Sequence, residues 1–193
     1  DAEEPVIRCR TGAATLMCMA LAAALPASGA CADTLQKIAD SGRITLAYRE
    51  SSVPFSYLGG PGQPIGFGVD VALRVADAVK QATGRRDLEV RWQAVTSQNR
   101  IPLVANGTVD LECGSTSNTA SRAKSVGFAV NYFYTGPRLL VKKDSPVRSF
   151  NDLAGKPVAV TTGTTSFRLL RQLDLERQAG MTIIAGRDHV DSF

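Results

Sequence analysis

The chain has 193 residues, room for one domain or two small ones. It is 44% apolar and 21% charged, which excludes the disordered and low-complexity classes. Its net charge of +4 comes without a Lys/Arg cluster interleaved with aromatics, so nucleic acid is not an expected partner.

Residues 8–32 read as an export signal. Arg8 and Arg10 precede an uncharged run, Thr11 to Leu25, built mostly of Ala, Leu and Met. Pro26, Ser28 and Gly29 interrupt it, and Ala30-Cys31-Ala32 fits the small-x-small rule for cleavage after Ala32. Residues 1–32 are therefore expected to be a removable signal region. Cys9, Cys18 and Cys31 would leave with it, and Cys113 would remain as a buried small residue at a strand end. One His and one remaining Cys offer no metal-ligand spacing, so neither a metal nor another cofactor is expected.

Thr34 to Ser41 is predicted as a short helix, with Gly42 placed to end it. Arg43 to Tyr48 alternates as a strand, and Arg49-Glu50-Ser51-Ser52 follows it. A charged, hydroxyl-rich segment directly after a strand is where α/β folds place ligand contacts. Gly59 to Gly66 reads as a turn. In Val69 to Ala82, residues Val69, Ala72, Leu73, Ala76 and Val79 recur at helical spacing. Leu88 to Val95 is a second strand, Ile101 to Ala105 a short helix and Val109 to Glu112 a third strand. This alternation predicts a parallel sheet.

The third strand runs into Gly114, Ser115, Thr116, Ser117 and Thr119, and Arg122 follows. Small residues after a strand leave backbone N–H groups approachable, and hydroxyls both donate and accept. The planar fork of Arg122 matches a carboxylate with two parallel hydrogen bonds. The same residues would equally suit a polar turn with a surface arginine. Further on, Phe128 to Tyr134 reads as extended and Arg138 to Lys142 as a strand. Ser149 to Gly155 reads as a helical turn, Val158 to Thr161 as a strand, Phe167 to Gln178 as a helix and Met181 to Ala185 as a strand. The strand–turn–helix pattern thus restarts after about Pro137.

Five separated blocks carry a resemblance: RESSVPFSY (Arg49 to Tyr57), TSQNRIPLVANGTVDLECGSTSNTASR (Thr96 to Arg122), TGPRLLVKK (Thr135 to Lys143), VTTGTTS (Val160 to Ser166) and DHVDSF (Asp188 to Phe193). Together they resemble the periplasmic solute-binding proteins of polar amino-acid ABC importers, in the glutamate/aspartate-binding subgroup. The resemblance implies an α/β, two-lobed type II periplasmic-binding-protein fold. Lobe one would lie in residues 33–136 and part of lobe two in residues 137–193, the second lobe and the returning part of the first being incomplete. It also implies a non-enzymatic periplasmic protein that binds L-glutamate or L-aspartate and delivers it to the permease subunits of an ABC importer. The roles it implies are specific. Arg122 would grip the α-carboxylate, helped by Thr116 and backbone amides near Thr165. The Gly114 carbonyl and the Thr116 hydroxyl would receive the α-ammonium, whose acidic partner is expected beyond Phe193. Arg49, Ser97, Arg100 and His189 would hold the side-chain carboxylate. A dehydratase-like enzyme on the same fold and a receptor's ligand-sensing domain are the competing classes. Against the enzyme, no nucleophile–base pair is evident and His189 is the sole histidine.

Overall fold

A computed structural model describes residues 34–193; the expected signal region lies outside the described residues. Three strands build the first sheet: β1 (Arg43–Tyr48), β5 (Glu89–Ala94) and β6 (Leu111–Glu112). They lie in the order β5-β1-β6, all parallel, with Leu46 of β1 paired to Trp92 on one side and Leu111 on the other. A central strand must be apolar on both faces, and β1 is. Ile44 and Leu46 pack with Ile38, Ala72 and Ala76 from α1 (Thr34–Ser41) and α2 (Phe67–Thr83). Ala47 joins Val95 and Val109 on the opposite face, against Leu103 and Val104 of α3 (Arg100–Ala105).

The buried stripe of α2 is narrower than its spacing suggested. Val69, Ala72 and Ala76 are buried, whereas Leu73 is 40% exposed. Small residues at 72 and 76 let α2 approach the sheet closely, which leaves Leu73 at the rim. The expected turn between Gly59 and Gly66 is part of an antiparallel ribbon, β2 (Ser51–Ser52), β3 (Ser56–Gly60) and β4 (Gln63–Ile65). Its Ser56 hydroxyl accepts from the Arg49 amide at 2.8 Å, which ties the ribbon to the end of β1.

Two further parallel strands, β7 (Pro157–Thr161) and β8 (Thr182–Gly186), are joined through α4 (Thr165–Arg177). Val147, Leu153 and Leu170 form a separate core there, with Leu139, Val158, Val160 and Ile183 packed on it. A 3₁₀ turn, Phe150–Leu153, opens this part behind a capping box between Ser149 and Asp152. The expected strand at Arg138–Lys142 is not one. Only Leu139 reaches the core, while Leu140 is 78% exposed. No neighbouring strand among the described residues supplies hydrogen bonds to this segment, and an apolar run alone cannot make a ladder. Phe128 to Tyr134 likewise pairs with no strand. It is held by aromatic contacts instead, Phe133 on Phe55 at 5.0 Å and Tyr132 on Phe67 at 5.5 Å between ring centroids.

Candidate functional site

The five parallel strands, β1, β5, β6, β7 and β8, place the site residues at or just beyond their carboxyl ends. Arg49 follows β1, and Ser97 and Arg100 follow β5. Gly114 and Thr116 follow β6, Thr165 opens α4 after β7, and His189 follows β8. Arg122 begins a 3₁₀ turn, Arg122–Lys124. In open α/β sheets this rim is where ligands bind, because the chain reverses there and exposes its polar groups.

Two of the arginines are out of solvent. Arg49 is 0% exposed and Arg100 is 2% exposed. Such groups are normally paired on every side. Arg49 donates from Nη2 to the Asp188 carboxylate at 2.6 Å, yet its Nε and Nη1 are buried with no acceptor. Arg100 Nε and Nη1 are in the same condition, as are the Ser97 and Thr116 hydroxyls. Burial pushes the Arg100 guanidinium down to about 10; Glu112 opposes that shift, while the fields of Arg49 and Arg122 add to it. A ring of unpaired buried donors of one sign, beside unpaired hydroxyls, fits an anionic partner with several oxygen acceptors.

Arg122 spans two segments. Its Nη1 donates to the Ser117 carbonyl at 2.8 Å and its Nη2 to the Gly163 carbonyl at 3.0 Å. Gly163 has φ +72°, and a Cβ there would meet the Ser97 carbonyl oxygen at 2.6 Å. Only glycine permits both the left-handed backbone and this close approach. The Ser117 and Thr165 hydroxyls lie 3.3 Å apart. Thr164 caps α4 by accepting from the Phe167 amide at 3.0 Å, so the start of the helix is directed at this cluster.

His189 Nδ1 lies 3.0 Å from the Thr161 hydroxyl. Burial and the neighbouring Arg49 charge pull the imidazole below its ordinary value, so it is neutral at pH 7. Asp188 accepts from the His189 amide at 2.7 Å as well as from Arg49. Its burial works against ionisation, but these donors win and hold the carboxyl below the usual carboxylate range.

The structure thus brings all eight predicted residues into one neighbourhood. It adds three that sequence reasoning gave no role. Asp188 pairs with Arg49. The Tyr132 hydroxyl donates to the Gly114 carbonyl, the group expected to receive an ammonium. Glu112 places a buried, unpaired Oε1 beside Gly114. Glu112 carried a signal, a charge set between Leu111 and Cys113 at a strand end; Asp188 and Tyr132 stood out only as members of longer polar or aromatic runs. Elsewhere, a depression of about 350 Å³ between α4 and β8, lined by Arg171, Leu175 and Ile183 among others, contains none of these residues.

Residues 44–178 match the bacterial extracellular solute-binding proteins, family 3. The chain is 50% identical over 186 residues to an L-glutamate/L-aspartate-binding protein of Pseudomonas aeruginosa, which takes in 94% of this chain and 62% of that one. It is 44% identical over 188 residues to a glutamate/aspartate import solute-binding protein of Escherichia coli, taking in 95% and 62% respectively. The chain therefore spans just over three-fifths of the length of these curated relatives. Among solved structures, an ancestral amino acid-binding protein described as a precursor of cyclohexadienyl dehydratase superposes with a TM-score of 0.70 at 29% identity, over 83% of this chain and 67% of that one. The fold is that of the type II periplasmic binding proteins. With parallel strands, a polar rim at their carboxyl ends and a match over residues 44–178, the chain belongs to the bacterial extracellular solute-binding proteins, family 3.

Proposed function

We propose that the complete protein binds an acidic amino acid, L-glutamate or L-aspartate, between two lobes in the periplasm and hands it to the permease of an ABC importer. The lobes are residues 33–136 and the part of a second within 137–193. The observation that carries this reading is the buried Arg100, whose Nε and Nη1 have no protein acceptor, beside a similarly under-paired Arg49. An amino acid needs one cation for its α-carboxylate; a cleft with three arginines suits a ligand with two carboxylates. Arg122, with the Thr165 end of α4, is assigned the α-carboxylate, and Arg100, Arg49, Ser97 and His189 the side-chain carboxylate. Gly114 and Thr116 face the ammonium. The relatives named above are binding proteins rather than enzymes, which supports the same reading.

Titration calorimetry on the full-length protein separates the two arginines. Truncating one partner of a buried charge pair costs about 2–5 kcal/mol. Arg122→Ala is expected to abolish binding of glutamate and glutamine alike. Arg100→Met is expected to weaken glutamate strongly and to narrow or reverse its advantage over glutamine. An equal loss for both ligands in Arg100→Met would mean that Arg100 does not read the side chain, and lysine or leucine bound as tightly as glutamate would end the acidic-ligand reading.

A further inference from the structure

Three guanidinium groups converge on the site, but they do not act as three free charges. Asp188 offsets Arg49 through a 2.6 Å ion pair. A second carboxylate, Glu112, stands in the same neighbourhood without any such pair: no ion pair or hydrogen bond engages it among the described residues, and its Oε1 is buried. Its position follows from β6. Leu111 and Cys113 both turn toward the core shared with α1 and α2, so strand alternation sends Glu112 to the other face, next to Ala47 in register. From there its side chain folds over Gly114, where an added Cβ would lie 2.5 Å from Oε1. The glycine leaves the space that the carboxylate occupies.

From that position Glu112 acts on the arginines by its field. It opposes the effect of burial on Arg100 and on Arg122. A buried carboxylate oxygen with no donor is costly, and a neutral residue would avoid the cost. What the carboxylate supplies is charge. Among the described residues assigned to the site, Asp188 and Glu112 stand against Arg49, Arg100 and Arg122, with His189 neutral at pH 7, so the Glu112 charge lowers the net positive charge that a ligand meets by one unit. Glutamate and aspartate carry one net negative charge at that pH, glutamine none and a dicarboxylate without an amino group two.

We propose that Glu112 is a specificity-determining residue: its carboxylate offsets one guanidinium charge of the site and thereby limits how strongly the site favours ligands of greater negative charge. This rests on the acidic amino-acid reading above. Glu112 need not touch the ligand; it tunes the charge the ligand meets.

The test is calorimetry on the full-length protein with three ligands of similar size and graded charge, L-glutamine, L-glutamate and glutarate. Glu112→Gln keeps the shape and removes the charge. Relative to the unaltered protein, the preference for glutamate over glutamine is expected to rise about tenfold, and glutarate is expected to gain more than glutamate, since Coulomb energy scales with ligand charge. Raising the salt concentration is expected to shrink both gains. Glu112→Asp retains the charge and is expected to leave the glutamate preference within about twofold. Equal loss for all three ligands in Glu112→Gln would mean that Glu112 supports the pocket or holds the common ammonium, and would overturn the proposal. So would a gain that does not follow ligand charge. If Glu112→Gln does not fold while Glu112→Asp does, the carboxylate is structural and the proposal fails. Failure of the unaltered protein to bind glutamate would instead overturn the acidic-ligand reading itself.

Discussion

His189 is the sole histidine in residues 1–193, and its ring is a reporter that NMR can follow. Burial first, then the charge of Arg49, lowers its midpoint from the ordinary 6.5. The sign of the linkage follows. Unfolded chains take up a proton near pH 6.5 that the folded site resists, so this residue's contribution to stability is complete above that pH and is lost as pH falls from there through the lowered midpoint. The imidazole is therefore expected to titrate below 6.5 in the free protein, and an anion bound beside it is expected to raise that midpoint. Glutamate should move it further than glutamine. A midpoint at or above 6.5 in the free protein would show that the ring is solvated. The positions of the eight expected residues, on segments that follow the parallel strands, were legible in the sequence. Their partners were not. Asp188 meets Arg49 across 139 positions, and nothing local in either segment announces the pair.

At the scale of elements, the loop between β7 and α4 is a tight junction. Gly163 lets its carbonyl meet Arg122 while its α-carbon presses on the Ser97–Gln98 backbone. Gly163→Ala would combine a left-handed alanine with a contact of 2.6 Å against a carbonyl oxygen. The backbone conformation alone costs about 1 kcal/mol, and the contact cannot be relieved by a side-chain rotation. The variant is expected to lower Tm and to weaken glutamate binding together, as read by calorimetry in both modes. Unchanged affinity with a lowered Tm would separate the junction from the site. The motif VTTGTTS was visible in the sequence as a strand end, but the reason for its glycine lies in the β5 loop that packs on it. Periodicity read β1, α2 and β5 within a few residues because each buries a regular face, and the turn residues around β7, α4 and β8 marked those elements nearly as closely. Arg138–Lys142 was misread, because its apolar run, Leu139 to Val141, has no neighbouring strand among the described residues to complete a ladder.

On the scale of the whole molecule, the apolar core between β1 and the helices α1 and α2 and the core around β7 are joined, among the described residues, through polar contacts: Arg49 with Asp188, Arg122 with Gly163, and Ser117 with Thr165. Buried ion pairs of this kind are strong only while both partners are present. The junction is therefore poised to respond to any further charge placed within it. The first core also contains Cys113, free and buried against Gly68 of α2, its thiol pushed up to about 11 chiefly by burial. Suppressed thiolate and closed packing make it inert in the native state. In a protein beginning at Asp33, residues 33–193 hold no other thiol. Cys113 then serves as a clock: a thiol reagent can react only during excursions that lift β6 from α2, so the labelling rate counts those excursions. A ligand that binds only the closed form should slow the clock by the factor 1 + [L]/Kd, about a hundredfold at a hundred times Kd. Glutamate is expected to stretch the labelling time in this way and leucine to leave it unchanged, which would turn an unreactive core residue into a readout of the site that begins at the next residue, Gly114.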